Sequence, residues 1–163
     1  MAIMDTLARF MLPVRAVQAV LTIIILGLTA YVANWWAGYW RALPPSQINF
    51  VVFTSVWTIL ALAFLVLSQW RFERFAHKYA ILGVEALTML FWFAGFIALA
   101  VFLSGGRVCF GNVCNSAKAA AAFAAFEWVF FAITTTMATI HVFRTRNSGE
   151  TKAAPEMAAH PSA

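Results

Sequence analysis

Two acids lie where acids are rarely found. Glu85 and Glu127 sit inside long apolar runs, where an ionised side chain costs about 3 kcal/mol on insertion scales. Such a group marks either a functional site or a buried pair. The functional reading makes one of them a proton or cation site, as in small four-helix exporters. The packing reading makes both neutral, hydrogen-bonded anchors. Neither acid has an Arg or Lys partner within the runs, and the two stand about two helical turns apart in depth. The residue pattern therefore favours packing and leaves the proton site open. On the second run, Ser55 and Thr58 lie at the depth of Glu127 as expected donors to it. Gln18, Thr22, Thr135 and Thr139 lie nearer the level of Glu85.

The chain has 2 cysteines, Cys109 and Cys114. Between them, Gly111-Asn112 suits a two-residue hairpin turn, because both residues tolerate positive φ. In that geometry the cysteines form a non-hydrogen-bonded cross-strand pair with Cα atoms about 4.5 Å apart, at the short end of the disulfide range. A structural disulfide is the expectation, contributing about 2 kcal/mol for so small a loop. No histidine is near enough to make a zinc site with them. A thiol-redox pair would want tighter spacing in an electropositive setting, and only Arg107 is close. The 3 histidines, His77, His141 and His160, are scattered, so neither a haem nor a metal site is indicated. No cofactor is expected, nor any catalytic residue: phosphate loops and nucleophile elbows are missing from the sequence.

The elements that carry these residues follow from composition. Of 163 residues, 63% are hydrophobic and only 10% charged, with a mean hydropathy of +0.82. A soluble domain carries roughly 25% charged residues, so this chain lacks the polar material to cover a globule. Crossing a bilayer takes about 20 apolar residues per helix. Four runs meet that length, at 15–36, 48–68, 80–103 and 119–142. The expectation is an all-α, integral membrane four-helix bundle over 1–143, followed by a disordered tail over 144–163 rich in Ser, Gly, Glu, Lys, Pro and Ala. The first run is too long for a signal h-region and is expected to stay in the mature protein.

Charge placement orients the bundle. Arg9, Arg15, Arg71, Arg74, Lys78, Arg144, Arg146 and Lys152 fall on one side, against Arg41, Arg107 and Lys118 on the other. The Lys and Arg excess marks the cytoplasmic face, so both termini are expected inside. Arg71, Arg74, Lys78, Arg144 and Arg146 are then placed to meet anionic headgroups, at about 1 kcal/mol each. Beside membrane spans, attraction to anionic lipid is the ordinary account of these clusters rather than a nucleic-acid patch, and no nucleic-acid partner is expected. Trp35, Trp36, Tyr39 and Trp40 form an interfacial aromatic belt at the outer end of the first helix.

Helical spacing also sorts the faces. Ala120, Ala124, Glu127, Phe131, Thr134 and Ala138 share one stripe of the fourth helix, with the small and polar residues of a helix contact face. Ile81, Glu85, Met89, Trp92 and Phe96 make the matching stripe of the third.

Four spans, a short first outer loop and a cysteine-bearing second one resemble the MARVEL-domain family, and most closely its fungal branch, the non-classical export protein 2 group. The local likeness rests on three stretches. They are Glu85-Ala86-Leu87-Thr88-Met89-Leu90-Phe91-Trp92-Phe93, Cys109 with Cys114, and Ala117-Lys118-Ala119-Ala120-Ala121-Ala122-Phe123 leading to Phe126-Glu127-Trp128. The resemblance covers roughly Leu12–Phe143. It implies a non-enzymatic organiser of plasma-membrane microdomains or trafficking, with lipids (sterol or sphingolipid) and other membrane proteins, or itself, as partners. Two alternatives stay open: an accessory subunit of a larger membrane complex, and a small proton-coupled transporter using an intramembrane Glu.

Overall fold

The computed structural model describes residues 2–41, 43–71, 78–105 and 111–153, with side chains over 10–41, 43–68, 79–105 and 111–146. Within them stand four helices: α1 (Ala2–Trp40), α2 (Ser46–Arg71), α3 (Lys78–Ser104) and α4 (Gly111–Ala153). Each contains a stretch long and apolar enough to cross a membrane: Phe10–Trp40, Ser46–Ser68, Tyr79–Ser104 and Gly111–Arg146. Even the shortest of these, 23 residues, rises about 35 Å, enough for a hydrocarbon core of about 30 Å.

Each helix packs against the next in sequence, and α4 closes on α1. The result is an antiparallel ring in which α1 faces α3, and α2 faces α4, across a diagonal. One end carries both termini, and the other carries the α1–α2 and α3–α4 connections. The centre is narrow and filled by side chains: Ile25, Val32, Ile48, Val51, Trp92, Leu99 and Phe131 are all fully buried. The outside is the reverse of a soluble surface. Large apolar residues such as Ile23, Leu60, Phe93, Val101, Phe126 and Ile140 stand exposed, an apolar belt that only lipid or another membrane protein would cover.

The helices overrun the apolar runs. α1 begins at Ala2 rather than near residue 15, and α4 runs from Gly111 to Ala153 rather than over 119–142. The reason is that an apolar window stops at a charge, whereas a helix does not. Lys118 stands exposed between buried Ala117 and Ala120, so the helix carries it on an outer face without interruption. One expectation fails for this reason. Gly111-Asn112 is not a hairpin turn, because Gly111, with φ of 60°, heads α4 and Cys114 lies in its first turn. α1 ends on Arg41 in the left-handed region, with φ of 47°, a position usually filled by glycine. Pro44 and Pro45 follow, and the Pro45 carbonyl accepts from the amides of Ile48 (3.0 Å) and Asn49 (3.2 Å) to start α2.

Candidate functional site

Three helices bring polar groups to one place near the end that carries the termini. Arg15 of α1 forms an ion pair with Glu85 of α3 through Nη2 and Oε1, across the diagonal of the bundle. Arg15 Nη1 also donates to Gln18 Oε1 at 3.2 Å, and Thr134 Oγ1 of α4 donates to Glu85 Oε2 at 2.8 Å. Arg15 is 5% exposed, Glu85 1% and Gln18 0%. A buried charge in such a setting persists only when it is paired and hydrogen-bonded, and here each oxygen of Glu85 has its own donor. The long arginine side chain reaches across the diagonal, where the backbones of α1 and α3 are not neighbours.

This pair corrects the expectation that Glu85 has no basic partner. Arg15 reads in the sequence as one more topology-setting charge at the start of a span. The signal that could have found it is the stripe Arg15, Gln18, Thr22, which recurs at helical spacing on one face of α1.

Glu127 lies one level deeper, near the midpoint of the apolar stretch Gly111–Arg146. Its side chain is fully buried. Thr22 Oγ1 of α1 donates to Glu127 Oε1 at 2.7 Å, and Oε2 has no protein partner. Ser55 and Thr58 are not its donors. Their hydroxyls bond backward to the carbonyls of Val51 (2.9 Å) and Thr54 (2.7 Å) within α2, the local alternative always open to Ser and Thr in a helix. α2 is also the helix diagonal to α4, which places these short side chains out of reach.

A second polar contact joins α2 and α3. Trp92 Nε1 donates to Thr58 Oγ1 at 3.0 Å, and Trp57 Nε1 donates to Thr88 Oγ1 at 3.2 Å. Each helix thus offers an indole to a threonine of the other. Phe91 fits edge-on against Phe50, Phe53 and Trp57 of α2, in the geometry that aromatic quadrupoles favour. On the other flank of α3, Phe93 and Phe96 hold Trp128 of α4 at 5.6 and 5.8 Å between ring centroids.

The remaining sequence candidates are dispersed. Arg144, Arg146 and His141 are exposed on the terminal part of α4. Arg71 and Lys78 end α2 and begin α3, while Arg74, His77, Arg107, Cys109 and His160 lie outside the described residues. Cys114 is half-buried. Among the described residues no group of three or more His, Cys, Asp or Glu could hold a metal. An open groove of about 480 Å³ runs along the outer face of α4, lined by Trp128, Ala132, Ile133, Thr136 and Ile140 among others. It is apolar, and it lies apart from the buried acids.

The arrangement is thus a polar seam from Arg15 to Glu127 inside an apolar bundle. It ties α1 to α3 and α4 in a fixed register, and it positions one carboxylate, Glu127, with an oxygen to spare. Comparison with known families gives one match: the model of MARVEL, described as a membrane-associating domain, covers residues 7–137. No curated protein and no solved structure matches the chain.

Proposed function

The chain belongs to the MARVEL family of membrane-associating domains, and on that premise we propose that it is a non-enzymatic organiser of the membrane. It associates laterally with lipids, with other integral membrane proteins or with itself, in plasma-membrane microdomains or in trafficking. The observation that carries this reading is how the two kinds of side chain are used. Nearly all the buried polar groups bond to one another or to their own helix inside the bundle. The outside presents a continuous belt of large apolar residues and the groove along α4.

Finer features belong to the same proposal. Both termini face the cytoplasm, supported by the eight basic residues on the terminal side against three on the other. Arg71, Arg74, Lys78, Arg144 and Arg146 grip anionic headgroups there, and Arg144 and Arg146 are exposed as this requires. Cys109 and Cys114 form a disulfide on the opposite face; its support is that Cys114 is not a free thiol. Within the family, the fungal non-classical export protein 2 group is the branch its helix-three and helix-four stretches resemble.

The test is purification of the full-length protein in native-lipid discs, alongside imaging of a tagged copy in cells. Clustering that dissolves when sterol or sphingolipid is extracted supports the organiser. A fixed stoichiometric partner that co-purifies regardless of lipid replaces it with an accessory-subunit role. A transporter is the second reading, favoured by the spare oxygen of Glu127 at mid-span. It requires proton flux in liposomes that Glu127→Gln abolishes, and equal flux in both proteins removes it.

A further inference from the structure

The groove on the outer face of α4 has a shape that the sequence explains. Residues four apart on a helix line up as ridges, and two such ridges bound this groove of about 480 Å³. One ridge runs Trp128, Ala132, Thr136, Ile140, and the other runs Val129, Ile133, Met137. Ala132 and Thr136 are small, so the first ridge is low in its middle and the furrow opens there. Thr136 donates its hydroxyl to the Ala132 carbonyl at 2.7 Å, which uses its one donor within α4 and keeps the furrow apolar.

Its depth and length match one leaflet. Trp128 stands near the midpoint of Gly111–Arg146 and packs at 5.6 Å on Phe93, itself near the midpoint of Tyr79–Ser104. From Trp128 to Ile140 α4 rises about 18 Å, and half of a hydrocarbon core of about 30 Å is about 15 Å. The furrow therefore runs from mid-span to the face that carries the termini. A second transmembrane helix would want a contact surface along both leaflets, whereas a furrow confined to one leaflet suits a single lipid chain. Both ridges also end in basic side chains. Arg144 stands four residues beyond Ile140 and His141 four beyond Met137, so each continues a ridge, and both are exposed. Arg146 is exposed close by, and α4 has no acidic residue between Glu127 and Arg146, so the helix itself brings no negative charge to this mouth.

We infer that this furrow binds one acyl chain of an anionic phospholipid, from the leaflet on the face that carries the termini. The phosphate sits at the mouth against Arg144 and His141, and the chain end reaches Trp128. Arginine presents five N–H donors in a fork that matches phosphate oxygens, so one edge serves a phosphate while the rest serves the chain. A sterol would bring only a hydroxyl to this basic mouth, and a zwitterionic lipid brings its own cation beside its phosphate. The inference rests on the lateral lipid-association reading and narrows it to one lipid class, one leaflet and one helix.

The test uses the full-length protein in phosphatidylcholine vesicles with a trace of phosphatidylserine that carries a photoactivatable diazirine at the end of one acyl chain. Cross-linked peptides are mapped by mass spectrometry. Labelling is expected to concentrate on 128–133 of α4 over the exposed faces of the other helices, and to be competed by unlabelled phosphatidylserine but not by extra phosphatidylcholine or sterol. Ala132→Phe fills the furrow and is expected to abolish that labelling. His141→Gln/Arg144→Gln is expected to weaken the competition by phosphatidylserine about tenfold, the equivalent of one lost charge-assisted hydrogen bond. Four results overturn the inference: even labelling of all four helices, competition by sterol, cross-linking of α4 to α4 of a second copy in place of lipid, or parental labelling in the double variant. Should Ala132→Phe fail to fold, the exposed double variant decides by itself. Even labelling in a protein that still clusters with lipid sinks this site and leaves the organiser standing, and furrow labelling in a protein that never clusters does the reverse.

Discussion

Arg15→Met is the perturbation that tests the seam most directly. The substitution keeps the apolar stem and removes the guanidinium, so Glu85 remains 1% exposed with only the Thr134 hydroxyl, at 2.8 Å, still donating to it. Removing one partner of a buried ion pair costs about 3 to 5 kcal/mol, because the other charge is left uncompensated. Loss of the Arg15–Gln18 hydrogen bond adds about 0.6 kcal/mol, the average for such bonds in membranes. The Thr134 bond is present in both proteins and cancels, so the expected loss is about 4 kcal/mol. The double variant Arg15→Met/Glu85→Met removes both charges together. Thr134 then keeps its second acceptor, the Phe131 carbonyl at 3.2 Å, so the double variant is expected within about 1 kcal/mol of the parent. Reversible unfolding of the full chain in mixed micelles, titrated with a denaturing detergent and read by circular dichroism, closes the double-mutant cycle. The expected coupling is at least about 2 kcal/mol. An Arg15→Met loss below about 0.5 kcal/mol, or single effects that simply add, would refute the claim that this pair holds α1 against α3.

Three further outcomes are expected from the same unfolding measurement. Thr22→Val removes the one protein donor to Glu127 at nearly constant shape and is expected to cost about 1 kcal/mol; an unchanged midpoint would detach Thr22 from Glu127. Trp92→Phe removes the indole donor to Thr58 while the hydroxyl keeps its Thr54 carbonyl, so a loss of about 1 kcal/mol is expected, and Thr58→Val should add little to it. Arg41→Gly relieves a left-handed residue at the end of α1 and is expected to stabilise by about 1 kcal/mol; destabilisation would mean that the arginine side chain does more there than the backbone costs.

Much of the architecture was legible before any coordinate. The apolar runs placed four spans, because a bilayer imposes its thickness on sequence as a length of uncharged chain. Their buried stripes could be read from spacing, and Ala120, Ala124, Phe131, Glu85 and Trp92 are indeed buried. Helix ends were less legible. Hydropathy reports where lipid ends, and the helix at Gly111–Lys118 continues past that point because nothing in those residues breaks it.

The partners of the acids were decided by tertiary structure alone. Sequence spacing gives a residue's face and approximate depth on its own helix. It does not give which helix stands opposite, or how far each is shifted along its axis. Ser55 and Thr58 have the right chemistry for Glu127, but α2 lies across the diagonal and Thr22 of α1 lies beside it. Arg15 sits near the end of its span, where an arginine usually reaches for water. Here the same long side chain turns inward to Glu85, because pairing inside the bundle satisfies two charges at once. The sequence by itself determined that the chain has four stretches able to cross a membrane and, Arg15 apart, most of the side chains named above that face inward. Only the ring order and axial register of the helices decided which of those residues meet, since that choice depends on distances between segments far apart along the chain.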